Sequence, residues 1–296
     1  MKRRPVLTAS LLFLAGCTAT RLGDDRGANT SGDRPDTLRF AVSDVKGLKT
    51  LEANFGAFRD ALGRAFDLPV ELLPLETPVA AAPALLNERL DLVLAGPSEY
   101  LMLRARAKAE PIVSITRPGY HTTVVVRADS GITSLADLRG KTVGMHEVGS
   151  TSGHIGATKL MQDAGLAIDR EYTVVMVGDD GERAVRDREV AAWLDSSSRT
   201  TPVLQAEAAR DGELVELDRG EPLPNDIFVA SPTLAPTFLE ELRATMVAEQ
   251  QALLAALTAS PGNDKYARSE LVPADDNDYN GVREMYFKLG IESLIQ

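Results

Sequence analysis

The segment GMHEVGSTSGHIGATKLMQDAGL, residues 144–166, places three consecutive hydroxyl side chains between an apolar run and an amphipathic run. These are Ser150, Thr151 and Ser152, with a glycine on either side. The pattern predicts a strand, a glycine-bounded turn and a helix that continues to about Ala164. The first N–H groups of a helix have no partner inside it, and the helix dipole places partial positive charge there. The turn can therefore bind an anion without a lysine or arginine side chain.

Side chains of the same turn add further hydrogen-bonding groups. The three hydroxyls can donate or accept, and His154 can donate through one ring nitrogen, or through two when it is protonated. The alternative explanation is an ordinary Ser or Thr helix cap. One hydroxyl is enough for a cap, whereas three hydroxyls with flanking glycines exceed that need. We therefore predict an anion-binding turn.

Strand-like and helix-like segments alternate twice along the chain. This order predicts an open α/β sheet with crossover helices in each of two units. The predicted segments of the first unit are strand 37–43, helix 55–66, strand 68–75, helix 78–90 and strand 91–96. The second unit has strands within 120–132, 141–148, 172–177 and 190–198, with one helix up to Ala164 and another over 182–189. A strand at 226–234, a long apolar helix and a last helix within 274–291 follow.

A second strand-to-helix turn occurs in DLVLAGPSEYLMLRA, residues 91–105. Pro97 suits the first position of the helix, because no N–H is needed there. Ser98 and Tyr100 lie beside this helix start, while Glu99 is expected to face solvent or to cap the helix. One donor turn in each unit is the arrangement expected for a ligand held between two lobes. Helix capping and a packed tyrosine are the alternative.

The first residues, MKRRPVLTASLLFLAGCTAT, combine a basic start with an apolar run that is too short to span a bilayer. This pattern predicts a secretory signal peptide over residues 1–16, with a buried N-terminal helix as the alternative. LAGC resembles the bacterial lipobox, and lipidation explains why Cys17 is the only cysteine of the chain. Residues 17–36 are polar and predict a flexible tether. We expect an extracytoplasmic protein that lipidated Cys17 anchors to the cell membrane.

The net charge of −11 disfavours binding to nucleic acid or to an anionic membrane surface. An anionic ligand must therefore be held by local donors. The sequence has no GxSxG, CxxC, HExxH or P-loop motif, and its three histidines lack metal-ligand spacing. We therefore predict no metal, no cofactor and no catalysis. A Ser150–His154–Asp195 triad is an alternative that no spacing supports, and residues 276–279 resemble a calcium loop only superficially.

Five segments resemble the phosphate-, phosphite- and phosphonate-binding proteins of ABC importers. The similarity extends over about residues 38–290, and the SxSG turn after DLRGKTV is a fairly specific marker of it. The resemblance implies a type II periplasmic binding protein fold, in which two α/β lobes joined by two crossing hinge strands close on a central cleft. The implied lobes are residues 37–125 plus 228–296, and residues 126–227. The segments are GPSEY (96–100), ADSGITSLADLRGKTVG (128–144), GSTSGHIG (149–156), LDSSS (194–198) and DDNDYNGVREMY (275–286).

The resemblance also implies a ligand site. The hydroxyl turn at 150–152 matches the oxyanion-holding turn of the family, Tyr100 matches its first-lobe tyrosine, and His154 follows an SxSGH variant. Many members carry a histidine in a G-H-D segment where this chain has Gly-Asp-Asp-Gly at 178–181. The predicted ligand-binding set is Ser98, Tyr100, Tyr120, His121, Ser150, Thr151, Ser152, His154, Asp195, Ser196 and Asp226.

Two roles are open for several members of this set. Asp195 or Asp226 accepts a hydrogen bond from a protonated phosphorus oxygen, or each only caps a helix or ends a strand. Tyr120 and His121 line the cleft, or they support the hinge beside it.

We therefore predict a lipid-anchored, monomeric solute-binding protein that delivers a small phosphorus oxyanion to an ABC permease. One alternative is a ligand-sensing subunit for a membrane histidine kinase. Another is a same-fold enzyme of the futalosine menaquinone pathway, although such enzymes are expected in the cytoplasm and the predicted signal argues against them. A third is a binder of an organic sulfonate or an amino acid. Neither donor turn contains the arginine that an amino-acid carboxylate usually requires.

Overall fold

The computed structural model describes residues 34–77, 80–209 and 212–296. The predicted signal peptide, Cys17 and residues 17–33 of the predicted tether lie outside the described residues. Within these ranges, no helix is both long enough and apolar enough to cross a membrane.

The strands and helices alternate through most of the chain. The strands are β1 (Leu38–Val42), β2 (Val70–Leu72), β3 (Leu92–Ala95), β4 (Glu110–Ile115), β5 (Thr122–Arg127), β6 (Thr142–Met145), β7 (Thr173–Met176), β8 (Ala192–Ser196), β9 (Leu214–Arg219), β10 (Asp226–Ala230) and β11 (Leu271–Pro273). The α-helices are α1 (Leu48–Phe66), α2 (Ala81–Leu86), α3 (Pro97–Ala107), α4 (Ala157–Asp163), α5 (Gly181–Arg186), α6 (Ser197–Ala208), α7 (Pro236–Ala248), α8 (Gln250–Leu257) and α9 (Asn280–Leu289).

The strands form two separate sheets. The first has the order β11-β4-β10-β3-β1-β2, and the second has the order β7-β6-β8-β5-β9. In the first sheet, β2, β1 and β3 are parallel. In the second, β7, β6 and β8 are parallel. The predicted βαβαβ order is thus confirmed in both units, and an antiparallel strand follows each of them in its sheet.

Each sheet is covered on both faces, which explains why its central strands are almost entirely apolar. In β1, Phe40 packs into a cluster with α1, α7 and α8, while Ala41 faces a cluster with α2, α3 and α9. The α1 side chains predicted to share a face are all buried in the first cluster. The helix itself begins at Leu48, seven residues before the predicted start. In β5, Val124 and Val125 likewise face opposite clusters of the second sheet.

The sequence prediction missed β4, β9, β11 and α6. β9 is an edge strand in which only Leu214 is fully buried and most other residues are exposed, so it lacks the two-residue alternation that marks a strand. α6 contains Pro202 and few apolar side chains, so its helical periodicity is weak. The segment 190–198, predicted as one strand, ends as a strand at Ser196 and continues directly into α6.

In the described part of the chain, two connections join the sheets, one between β4 and β5 and the other between β9 and β10. The predicted lobe boundaries after residues 125 and 227 fall inside β5 and β10. All paired residues of β5 belong to the second sheet and those of β10 to the first. The division into lobes stays a prediction, and sheet membership favours boundaries within residues 116–121 and 220–225.

Candidate functional site

A cleft of about 580 Å³ lies between the two sheets and is lined from both of them. Six of the predicted ligand-binding residues line it, namely Tyr120, Ser150, Thr151, Ser152, Ser196 and Asp226. The other five, Ser98, Tyr100, His121, His154 and Asp195, are not among its lining residues. The cleft therefore brings together the hydroxyl turn and one connection between the sheets.

The hydroxyl turn begins a helical segment that runs from Thr151 to the end of α4 at Asp163. Its first turn is a π-helix, in which the Ile155 N–H donates to the Ser150 carbonyl at 2.9 Å. The Ser150 hydroxyl caps it by accepting from the Gly153 N–H at 3.3 Å. The N–H groups of the first two helical residues, Thr151 and Ser152, have no acceptor within the helix. The predicted donor turn is thus formed, with a wider first turn than an α-helix.

Close packing fixes the backbone of this turn. A Cβ atom added at Gly153 would lie 2.4 Å from the Cβ of His146, so a larger residue does not fit. Gly149 adopts a φ of 89°, which favours glycine. The Nδ1 atom of His154 accepts a hydrogen bond from the Gly149 N–H at 3.1 Å. Burial lowers the pKa of His154, so this ring is neutral at pH 7 and supports the turn from behind.

The side chains of Thr151 and Ser152 connect the turn to other parts of the cleft. The Ser98 N–H at the start of α3 donates to Thr151 Oγ1 at 2.9 Å, which links the two donor turns. The Tyr120 hydroxyl donates to Ser152 Oγ at 3.3 Å. These contacts join elements of both sheets, so the hydroxyls are held in position from both sides of the cleft.

Arg117, in the connection between β4 and β5, is a cleft residue that the sequence analysis missed. Its Nη1 donates to both carboxylate oxygens of Asp226, at 3.1 and 3.3 Å, and its Nη2 donates to the Ser198 hydroxyl. The guanidinium lies 3.6 Å from the centre of the Tyr120 ring. Burial works to lower the pKa of Arg117, but Asp226 raises it above the ordinary value, so the side chain stays charged. No local motif marks such a residue, because its partner is 109 positions away.

The other cations of the cleft are paired with acidic residues. Lys46 Nζ lies 2.7 Å from a Glu147 carboxylate oxygen. This ion pair connects the loop after β1 in the first sheet with the loop after β6 in the second. Lys265 Nζ lies 3.2 Å from Asp44 Oδ2, and a guanidinium nitrogen of Arg199 lies 3.4 Å from Asp179 Oδ1. The cleft is therefore rich in charge of both signs although the chain as a whole is acidic.

Tyr100 faces away from the cleft. Its hydroxyl donates to Asp276 Oδ1 at 2.5 Å, and its ring packs edge-on against Tyr279 with centroids 4.6 Å apart. The predicted first-lobe tyrosine thus joins α3 to the segment before α9. His121 contacts the start of α6 through its backbone N–H, which donates to Ser197 Oγ at 3.3 Å.

The two aspartates considered as acceptors for a ligand both have protein partners. Asp195 accepts from the Ser196 N–H at 2.6 Å and from the Trp193 indole at 3.3 Å, and it is fully buried. Asp226 accepts from Arg117 and, at 2.6 Å, from the Tyr266 hydroxyl. A role for either carboxylate in ligand binding stays a prediction.

The alternative triad is not assembled. The histidine beside Asp195 is His146, whose Nδ1 lies 3.6 Å from Asp195 Oδ2, while His154 is bonded to Gly149. Within the described residues, no group of acidic, cysteine or histidine side chains could hold a metal ion.

Comparisons with known proteins agree with this architecture. A family model described as the periplasmic substrate-binding protein of phosphonate ABC transporters matches residues 40–279. The phosphate-import protein PhnD of Mycolicibacterium smegmatis is 23% identical over 300 residues, covering 91% of each chain. The structure of PhnD1 from Prochlorococcus marinus in complex with methylphosphonate has a TM-score of 0.72 at 19% identity, covering 87% of this chain and 100% of that chain. A shorter match of 113 residues, 30% identical, is to the tetrathionate sensor histidine kinase TtrS of Salmonella typhimurium, covering 34% of this chain and 19% of the kinase. The predicted type II periplasmic binding protein fold is confirmed.

Proposed function

The chain belongs to the family of periplasmic substrate-binding proteins of phosphonate ABC transporters, and from this premise we propose that its cleft binds a small phosphorus oxyanion. The ligand is phosphate, phosphite or a phosphonate, and the protein delivers it unchanged to an ABC permease. The protein acts as a monomer and catalyses no reaction.

The hydroxyl turn is the observation that carries this proposal. Thr151 and Ser152 present two N–H groups without helical acceptors, together with their own hydroxyls, at the wall of the cleft. A tetrahedral oxyanion accepts several hydrogen bonds at once, and N–H and O–H donors satisfy it without a cationic side chain. Arg117 is bonded to Asp226 through its Nη1 and to Ser198 through its Nη2, so it does not offer a free bidentate fork to an amino-acid carboxylate.

Calorimetric titration of the purified chain tests the proposal. The panel is phosphate, phosphite, methylphosphonate, 2-aminoethylphosphonate and sulfate, with phosphorus-31 NMR to confirm that the ligand is recovered unchanged. We expect one phosphorus anion to bind more tightly than sulfate by about tenfold or more, a difference of about 1.4 kcal/mol, because sulfate at neutral pH has neither a proton nor a carbon substituent. Absence of binding by a folded, ligand-stripped sample contradicts the proposed function.

We also propose that lipidated Cys17 anchors this extracytoplasmic protein to the cell membrane, in the periplasm or at the outer face of the cytoplasmic membrane. This rests on the basic and apolar pattern of the first 16 residues and on Cys17 being the only cysteine. In cell fractionation, the parent is expected in the membrane fraction and Cys17→Ala in the soluble fraction. Membrane partitioning of a signal-cleaved Cys17→Ala chain contradicts lipidation.

A ligand-sensing role is a second candidate, favoured by the short similarity to a sensor histidine kinase. Measuring the uptake of a labelled ligand by cells distinguishes the transport role from the sensing role. A transport role predicts that deletion of this chain abolishes uptake, whereas a sensing role predicts unchanged uptake and a lost transcriptional response.

A further inference from the structure

Glu99 places a carboxyl group in the cleft wall, although the sequence predicted that it faces solvent or caps α3. It lines the cleft, and the residue is only 8% exposed. Its Oε2 atom is buried and has no hydrogen-bond partner within the described residues. The carboxyl group lies against Gly96, where an added Cβ would come within 2.7 Å of Oε2. A buried polar atom without a partner is costly, so this oxygen is expected to meet a ligand.

The charges around Glu99 do not neutralise it. Asp44, from the connection between β1 and α1, and Asp226, from β10, both repel a negative charge on Glu99. Lys265 attracts it, but this ammonium lies 3.2 Å from Asp44 and 3.9 Å from Asp226. The guanidinium of Arg117 is bonded to Asp226. No cation is therefore left to pair with Glu99 among these neighbours.

Burial, followed by the charges of Asp44 and Asp226, raises the pKa of Glu99 to about 8. A hydrogen bond with its own backbone N–H and the charge of Lys265 act in the opposite direction. Two further titratable groups that interact with Glu99 are Tyr120 and Tyr286, whose own pKa values burial raises to about 12, so both are neutral. The carboxyl group of Glu99 thus keeps its proton at pH 7.

We propose that Glu99 is a ligand-binding residue of the cleft, where its neutral carboxyl group donates a hydrogen bond to the bound oxyanion. The inference rests on the proposed function. Asp195 and Asp226, which were considered as acceptors for a protonated phosphorus oxygen, both have protein partners, whereas Glu99 Oε2 has none within the described residues and acts here as a donor. The ligand oxygen accepts the O–H hydrogen, so one proton is shared between the protein and the ligand.

The proposal makes binding dependent on pH in one direction. Above the pKa, Glu99 loses its proton, and an unpaired carboxylate then faces the anion. If only the protonated form binds, the affinity falls by about 30-fold between pH 7 and pH 9.5. The conservative variant Glu99→Gln keeps an N–H donor and cannot ionise, so its affinity changes only with the titration of the ligand.

The experiment is calorimetric titration of the full mature chain with methylphosphonate, or with the tightest anion of the panel, at pH 7 and pH 9.5. The affinity of the parent is divided by the affinity of Glu99→Gln at each pH, so that the titration of the ligand cancels in this ratio. We expect this affinity ratio to fall by about 30-fold from pH 7 to pH 9.5. At pH 9.5 the parent is also expected to take up about one proton for each ligand bound. Titrations in buffers of different ionisation enthalpy measure this proton uptake. Glu240→Gln, which removes an exposed carboxylate outside the cleft that is paired with Arg243, is expected to follow the parent.

The same pH profile in the parent and in Glu99→Gln overturns the proposal. If no anion binds to the parent, the proposed function fails, and the state of Glu99 is then read directly. Carbon-13 NMR difference spectra between the parent and Glu99→Gln follow its carboxyl carbon in the ligand-free chain. Titration near pH 8 supports the buried neutral acid, and titration near pH 4.5 overturns it.

Discussion

Replacing both Ser150 and Ser152 by alanine is expected to weaken anion binding by about 10²- to 10⁴-fold. Each lost hydrogen bond to a charged ligand costs about 1.5–3 kcal/mol, and the two hydroxyls belong to the same donor turn. Ser150 also caps the helix through the Gly153 N–H, so its loss loosens the N–H groups beside it. Calorimetry with the tightest phosphorus anion measures the effect.

A hydroxyl on the same helical segment provides the matched control. Thr158 is in α4, outside the cleft, and its Oγ1 contacts the sulfur of Met145 at 3.8 Å. Thr158→Ala is expected to bind as the parent does. The thermal unfolding of both variants is recorded, because loss of a cap costs about 1 kcal/mol of stability. Unchanged affinity in the folded double variant contradicts the assignment of the turn as the anion site.

Replacing Arg117 by alanine is expected to lower the free energy of unfolding by about 3–5 kcal/mol. The side chains of Arg117 and Asp226 are only 8% and 4% exposed, so the substitution leaves a buried carboxylate without its cation. Tyr266 and the more distant Lys265 compensate only in part. Denaturant unfolding of the ligand-free chain measures the loss, with unfolding slopes compared to verify two-state behaviour.

Two further variants distinguish the stability lost with the Arg117–Asp226 ion pair from the stability lost when any arginine is replaced. The double variant Arg117→Ala with Asp226→Asn removes both charges and is expected to recover part of the lost stability. Arg183→Ala removes an arginine that is 51% exposed and paired with surface acids, and its unfolding midpoint is expected to stay close to that of the parent. A loss below about 1 kcal/mol in Arg117→Ala contradicts a strongly coupled buried pair.

The fold was largely predictable because its signals are local. The central strand β3 is apolar without interruption, and α1 presents its phenylalanines at helical spacing. Both signals exist in short windows of sequence. The edge strand β9 and the helix α6 lack them, and both are held by tertiary contacts: β9 pairs with β5, and α6 packs against β5, β8 and β9.

The candidate site was predictable only in part, for a geometric reason. The hydroxyl turn is contiguous in sequence, so its donors could be recognised together. Arg117 and Asp226 meet through tertiary folding alone. In α3, successive side chains point about 100° apart, so that Glu99 faces the cleft and Tyr100 faces Tyr279. The sequence identified the helix start, but the packing of α3 decides which of its residues faces the ligand.

The most direct test of the central claim is a crystal structure of this chain with its tightest phosphorus anion. The account predicts the anion in the cleft between the sheets, with its oxygens about 2.7–3.2 Å from the N–H groups of Thr151 and Ser152 and from the adjacent hydroxyls. An anion bound elsewhere, with the Ser150–Ser152 turn unoccupied, would contradict the account.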